Sequence, residues 1–244
     1  MLAYHSNPTI KTDILAQLAL HREHDEIVKG QYWQNGKGCA VGCTLHSNRH
    51  AEYEARFGIP QMLAHLEDCI FEGLPNDYAK MWPETFMGAI EPGRDLSRVG
   101  WQFLLWLLTD ETVNPGINHP LVKDAVRQCA DVLAPPMKGQ PIDMSAARNA
   151  ASAASAARSA ASAESAEDSA WSAAASAAAS ATGAAKSAAE SAADSAWSAW
   201  SATGAAKSAA KSAAKSAERS AWSAAWSAAW ISMSNKLIAL LEDA

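Results

Sequence analysis

The sequence predicts an all-α protein, in which a small helical N-terminal domain is followed by a long Ala/Ser-rich helix. Apolar residues recur at helical spacing in the first part of the chain, and no stretch shows the sustained alternation of a strand. From Ser145 onward, serines return at a mean step of about 3.6 residues, the period of an α-helix. We therefore predict a helical domain over residues 1–136, a linker over 137–144 and a helical repeat tail over 145–244.

The first helix is predicted to begin at Asn7-Pro8, because Asn is a good helix cap and Pro suits the first turn. We expect it to end near Val28, before a Gly-rich loop over residues 30–38. Pro83 is expected to break the region around it into short pieces. Further helices are predicted over 51–58, 60–73, 98–110 and 119–133, and Pro135-Pro136 is expected to end the last of these. The helix over 98–110 is apolar nearly all round, so we predict that it forms the centre of the core.

The tail combines a small face and a charged face. Ser and Ala occupy one side, and charged residues such as Arg158, Glu190 and Lys211 follow on the other. A seam of small side chains lets two helix backbones approach closely, as in a tight coiled coil. We expect such an interface either within the chain or between copies. Gly183 and Gly204 do not by themselves end a helix, so a continuous or gently bent rod is favoured.

Tryptophans interrupt the charged face of the tail, and the last three of them are spaced four residues apart, which places them in one stripe. Exposed tryptophans on a helix need a surface to pack against. They are expected to pack on the chain's own domain or on a neighbouring copy, and the alternative is a binding surface for a ligand, lipid or partner. The candidate partner-binding residues are Trp197, Trp200, Trp222, Trp226 and Trp230.

The segment from Cys39 to His50 carries the residues with possible chemistry. Its spacing, C-x3-C-x2-H-x3-H, places Cys39, Cys43, His46 and His50 on one face of a helix. Two thiols and two imidazoles suit zinc. A straight helix would hold the outer pair about 16 Å apart at 1.5 Å per residue, so a break near residues 47–48 or a subset of ligands would be needed. His21 of the first helix is a candidate to complete the site.

Two other interpretations of these residues stay open. Cys is often simply a small buried residue, and His21, in line with an apolar stripe, is expected to be a core histidine with a hydrogen-bond partner. Alternatively, Cys39 or Cys43 near a helix start would have a lowered pKa and act as a nucleophile, with a nearby histidine as the base.

Charge and composition exclude several classes of function. The net charge of −6 gives no basis for predicting nucleic-acid binding. The uncharged run over residues 169–185 is rich in Ser and too short and polar to span a membrane. The first residues, MLAYHSNPTIK, lack the apolar segment of a signal peptide, so a cytoplasmic location with reduced cysteines is expected.

Four features of the chain together resemble an uncharacterised family of bacterial and phage proteins. They are the His-Arg-Glu pattern at 21–23, the segment KGCAVGC at 37–43, the segment IFEGLP at 70–75 and a Ser/Ala tail with SAW and SAAK units. The resemblance covers the whole chain and KGCAVGC is its most specific part. It implies an architecture and a bacterial or phage setting, and carries over no activity.

These observations favour a non-enzymatic structural or adaptor protein that self-associates through its tail as a homo-oligomer and uses its head for recognition of a protein partner. The alternative is a metal- or thiol-dependent enzyme or sensor that uses the Cys39-Cys43-His46-His50 segment, with zinc as its possible cofactor. A third interpretation is an ice-binding rod, against which the scarcity of Thr and the elaborate head argue.

Overall fold

The computed structural model describes residues 1–113, 120–163 and 219–244, and these are mostly helical, as predicted for the all-α class. Contacts group the chain into two compact units. The first consists of residues 1–100 together with 233–244, and the second of residues 101–232. The domain boundaries that composition suggests, 1–136 and 145–244, remain a prediction.

The described elements follow one another in a simple order. The helices are α1 (Pro8–Glu23), α2 (Ala40–Leu45), α3 (Glu52–Phe57), α4 (Gln61–Gly73), α5 (Asn76–Ala89), α6 (Val99–Thr109), α7 (Pro120–Met137), α8 (Met144–Ala163) and α9 (Arg219–Glu242). Between α1 and α2, strand β1 (Trp33–Gln34) pairs antiparallel with β2 (Lys37–Gly38). The predicted Gly-rich loop is therefore a short hairpin with a turn at residues 35–36.

Helix α1 begins where the sequence predicts and ends earlier. The Asn7 side chain accepts a hydrogen bond from the Thr9 amide at 3.0 Å, which caps the first turn. The helix ends at Glu23 because Asp25 takes a left-handed conformation, with φ of 53°. The chain then runs alongside the hairpin, where the Val28 amide donates to the Gly38 carbonyl at 2.8 Å. The predicted end near Val28 is therefore wrong.

Proline does not interrupt two helices in which a break is predicted. Pro83 lies inside α5, although it removes one backbone donor, and the buried side chains around it include Trp82, Phe86 and Met87. The packing of this face, on a helix that contacts α1 and α4, outweighs the lost hydrogen bond. Pro135-Pro136 also lies inside α7, in its last turn, and the helix ends at Met137 before Gly139 with φ of 70°.

Helix α4 supplies a large part of the core of the first unit, whereas most of the predicted helix over 98–110 belongs to the second unit. Six consecutive α4 residues, from Leu66 to Phe71, are buried, because α4 packs against α2, α3 and α5. In α6, Leu105 and Trp106 are half-buried, so the burial of that helix is one-sided. The buried residues of α4 include two adjacent carboxylates, Glu67 and Asp68.

In the second unit the first part of the tail packs on α7 through small side chains. Ala147, Ala150 and Ala154 of α8 are buried, with at most 1 % of their surface exposed. The Sγ atom of Cys129 in α7 lies 3.9 Å from the Ala150 carbonyl oxygen, so the α7 side chain approaches the α8 backbone closely. Ser145, Ser152 and Ser155 of α8 are exposed. Where the side chains of α8 are described, its small seam is therefore made by Ala.

Helix α9 buries a stripe of large apolar residues near the end of the chain. Trp230, Met233, Leu237 and Leu241 are each no more than 4 % exposed. The segment 233–244 belongs to the compact unit of residues 1–100, in which Arg94 Nη1 donates to the Ala244 carbonyl at 3.2 Å.

Gly183 and Gly204, at which a continuous or gently bent rod is predicted, lie outside the described residues, as do Trp197, Trp200 and the side chain of Trp222. Trp226 is half-buried, and its ring meets that of Trp230 edge to face at 5.8 Å. Within the described ranges, no helix combines the length and apolar character that crossing a bilayer requires.

Candidate functional site

Three of the predicted ligands, Cys39, Cys43 and His46, lie in helix α2 or next to its ends. The helix is one of the most tightly enclosed parts of the molecule. All six of its residues, from Ala40 to Leu45, are buried. The Cys39 thiol caps its first turn by accepting from the Gly42 amide at 3.5 Å, and the Thr44 hydroxyl donates to the Ala40 carbonyl at 2.8 Å.

Two glycines allow this close packing. A side chain added at Gly42 would place its Cβ 1.4 Å from the Tyr32 carbonyl oxygen, and one at Gly38 would place it 1.9 Å away. The backbone of residue 32 therefore lies directly on α2, and only glycine fits at these two positions. This contact explains the two glycines of the KGCAVGC segment in physical terms.

The predicted ligand set does not share one helix face, because α2 ends at Leu45. His46 takes a left-handed conformation, with φ of 55°, and His50 lies in the loop beyond. The helical direction thus ends at His46, one residue before the predicted break at 47–48. His46 points to α1 and His50 points to α4, so the two histidines belong to different groups of side chains.

The first group, which we call the histidine pair, consists of His21 and His46. Their Nε2 atoms are 2.8 Å apart. His21 Nδ1 is 2.6 Å from Glu26 Oε2, and this hydrogen bond lowers the pKa of the Glu26 carboxyl. The Trp33 ring stacks on His46 at 4.3 Å and meets His21 edge to face at 5.4 Å. His21 thus has the hydrogen-bond partner that a core histidine needs.

The position of the histidine pair follows from α1. Gln17 and His21 are four residues apart and lie on one face of the helix. The Gln17 side chain donates to the carbonyls of Cys43 and Thr44, which α2 leaves open at its end. This contact holds the end of α2 against α1, so that His46, the next residue after the helix, meets His21.

The second group, which we call the buried acid cluster, is built on Glu67 and Asp68 of α4. Glu67 is 0 % exposed and accepts a hydrogen bond from the Tyr53 hydroxyl. Asp68 is 4 % exposed, and its Oδ2 lies 3.4 Å from His50 Nε2. Among the described residues, Glu67 Oε1 and Asp68 Oδ1 have no hydrogen-bond partner. Burial raises the pKa of Glu67 well above its ordinary value, against the lowering effect of Tyr53.

Cys39, Tyr32 and, from α4 itself, His65 also lie near Asp68. Burial, and then the charge of Asp68, raise the pKa of the Cys39 thiol and raise that of Tyr32 to about 12. The His65 ring stacks on His50 at 3.8 Å. Burial, and then the neighbouring His50, lower the pKa of His65 to about 3. The cluster therefore favours a protonated thiol and phenol beside a neutral imidazole at neutral pH.

Cys39 and Cys43 are not activated for nucleophilic attack. Cys43 Sγ donates to the Gly38 carbonyl at 3.3 Å, and burial raises the pKa of this thiol to about 12. Since the thiolate is the nucleophilic form, a raised pKa suppresses the reaction at neutral pH. The expectation that Cys39 or Cys43 has a lowered pKa is wrong, because desolvation in the core outweighs any effect of the short helix.

The five predicted ligands, Cys39, Cys43, His46, His50 and His21, therefore divide. The structure brings His21 and His46 together, places Cys39 and His50 beside Asp68, and points Cys43 at backbone carbonyls. Across the described part of the chain, no group of three or more His, Cys, Asp or Glu side chains is arranged to hold a metal ion.

Sequence reasoning missed Glu67, Asp68, His65, Tyr32 and Trp33. A signal for Glu67 was present, because Leu63, Glu67 and Phe71 follow one another at four-residue steps and so share the apolar stripe of α4. Tyr32 and Trp33 gave no comparable signal, since their positions depend on the hairpin and its contact with α2.

The whole chain was compared with known proteins. Neither a protein-family model, nor a curated protein, nor a solved structure matches it. The resemblance that the segments 37–43 and 70–75 suggest stays a prediction.

Proposed function

We propose that this chain is a non-enzymatic structural or adaptor protein that self-associates through its Ala/Ser tail and uses its helical head for recognition. The observation that supports the proposal is the packing of α8 on α7. There the first turns of the tail bury Ala147, Ala150 and Ala154 against another helix. The small face of the tail thus acts as a packing surface where it is described.

The rest of the tail repeats the same chemistry over many more turns. Small side chains leave room for a second backbone, and the gain is dispersion contact along the full length of the seam. A surface that repeats for tens of residues suits a second copy of itself, because identical seams are complementary in register. This reasoning favours a homo-oligomer as the working form of the protein.

The tryptophans of the tail have two different roles in this proposal. Trp230 is buried within the chain, so it serves packing. The candidates for contact with a partner are Trp197, Trp200 and Trp222. Trp226 is half-buried beside Trp230, so part of its ring packs within the chain and part is open to a partner. The thiol-dependent alternative is disfavoured by the raised pKa of Cys39 and Cys43.

The proposal is tested by the mass of the full-length protein in solution, measured by light scattering over a range of concentrations with a metal chelator present. We expect a dimer or larger species. Replacing two serines of the predicted Ser/Ala face together, Ser191→Leu and Ser195→Leu, is expected to lower the mass, because wider side chains on that face hold the backbones apart. The matched control, Ser191→Ala with Ser195→Ala, keeps the seam narrow and is expected to leave the mass unchanged. A wild-type monomer at every concentration would contradict the proposal.

A further inference from the structure

The histidine pair presents two nitrogen atoms to one point from separate elements of the fold. His21 Nε2 belongs to α1 and His46 Nε2 to the residue after α2, and the two atoms are 2.8 Å apart. Their rings are nearly perpendicular, at 85°. Two imidazole nitrogens that converge in this way are either a hydrogen-bonded pair or two ligands of the same ion.

The proton positions follow from Glu26. An ionised carboxylate can only accept hydrogen bonds, so the 2.6 Å contact requires a proton on His21 Nδ1. In the neutral ring, Nε2 then carries a lone pair, which accepts the Nε2 proton of His46. A carboxylate on the outer nitrogen of a histidine is the usual second shell of a metal site, because it fixes the tautomer and makes the inner nitrogen a better ligand.

The surroundings hold both rings in place and leave one of them open to water. Trp33 contacts both imidazoles and restricts their rotation. His46 is exposed, so an ion can reach the pair from solvent. Its left-handed backbone is a conformation that residues other than glycine rarely adopt and that is concentrated at functional sites.

Charged groups around the pair limit how tightly a cation can bind. Glu26 is the carboxylate in contact with it, with His24 and Lys37 nearby. Arg56, whose Nη1 donates to the Leu45 carbonyl at 3.0 Å, faces His46 and opposes the binding of a positive ion. An ion held here is therefore expected to exchange with solvent, unlike the closed four-ligand sites that stabilise small folds.

We propose that His21 and His46 form a two-histidine site for a divalent transition-metal ion, with zinc as the candidate, and that water completes the coordination. Imidazole nitrogen is a common ligand of such ions. At zinc–nitrogen distances of about 2.0–2.1 Å, two tetrahedral ligands lie about 3.3 Å apart, so the rings need to separate by about half an ångström. When the ion binds, the proton of neutral His46 has to be on Nδ1 instead of Nε2, so that Nε2 can coordinate the ion. The site does not depend on assembly through the tail.

The test is equilibrium dialysis of the full-length protein against Zn²⁺, with a phosphine reductant that keeps the cysteines as thiols. We expect one saturable equivalent of zinc per chain. His21→Gln and His46→Gln are each expected to abolish it, since one histidine is too few. His24→Gln, the matched control, removes an exposed histidine beside Glu26 and is expected to keep the equivalent. Glu26→Gln is expected to weaken the binding by about 10–100-fold.

A second measurement on the unmodified protein guards against variants that do not fold. Histidine ring nitrogen resonances are followed by NMR during the zinc titration, and the Nε2 signals of two histidines are expected to shift together. The proposal would be overturned if both His21→Gln and His46→Gln still bind the one equivalent of zinc that the wild type binds. So would the absence of saturable binding to the wild type. Neither result bears on the mass measured with chelator present.

Discussion

Glu67 is a carboxylic acid in the interior of α4, and its burial makes the stability of the fold dependent on pH. Its pKa is raised in the folded protein above the ordinary value of 4.5. The folded state therefore holds this proton more tightly than the unfolded chain does. The stability that the group contributes is fully present below pH 4.5 and is lost progressively as the pH rises from there through the raised pKa.

We predict that Glu67→Gln removes this loss. The amide has nearly the same shape, keeps an acceptor for the Tyr53 hydroxyl and cannot ionise. Denaturant unfolding from pH 4 to 8 should show the variant and the wild type closest at low pH, with the variant increasingly more stable as the pH rises. Glu23→Gln, at an exposed position of α1, is the control and should leave the pH dependence unchanged. Parallel stability curves for Glu67→Gln and the wild type would contradict a protonated Glu67.

Helix α8 shows at the scale of an element how the Ala-rich sequence packs. Over the residues whose side chains are described, its buried face consists of Ala147, Ala150 and Ala154, and the side chain of Cys129 lies against the Ala150 carbonyl. The absence of larger side chains on this face is what allows α7 to approach, so the contact depends on side-chain size more than on hydrophobic area.

We predict that Ala150→Leu destabilises the packing of α8 on α7 by about 1–3 kcal/mol, the usual cost of overfilling a tight contact. Amide hydrogen exchange over residues 122–133 of α7 should become faster in the variant. Asn149→Leu, one position away on the exposed side, adds the same side chain and should change stability by no more than about 0.5 kcal/mol. Equal effects of the two variants would show that Ala150 is not a packing position.

At the scale of the whole molecule, the end of the chain belongs to the unit that its beginning forms. Residues 233–244 group with residues 1–100, and within them Leu237 is 0 % exposed. The last turns of α9 therefore supply part of the core of the first unit, although 132 residues separate Gly100 from Met233.

We predict that Leu237→Ala destabilises the first unit by about 2–5 kcal/mol, the range for removing a buried leucine. Hydrogen exchange in α4, which supplies a large part of the core of that unit, should become faster. Asn235→Ala, at an exposed position of α9, is expected to leave the exchange of α4 unchanged. If α4 exchanges equally in Leu237→Ala and the wild type, the end of the chain does not stabilise this unit.

Part of the candidate site could be predicted from sequence, and the limit has a physical cause. The spacing of Cys39, Cys43, His46 and His50 drew attention to this segment, and the structure places His21 beside His46. The grouping was wrong because a single left-handed residue, His46, turns the chain, and because burial decides the chemistry of both thiols. Neither a backbone conformation nor a desolvation energy can be obtained from residue spacing.

The sequence by itself determined what depends on neighbouring residues: the helical class, the cap at Asn7 and the bounds of α4 within a residue. The periodicity and the propensities that specify these features act over one or two helical turns. Only the tertiary structure decided that α4 is enclosed with its two carboxylates, that the prolines of α5 and α7 are tolerated, and that Glu26, Trp33 and His46 surround His21. These outcomes depend on contacts between distant segments, in which packing energy outweighs local preference.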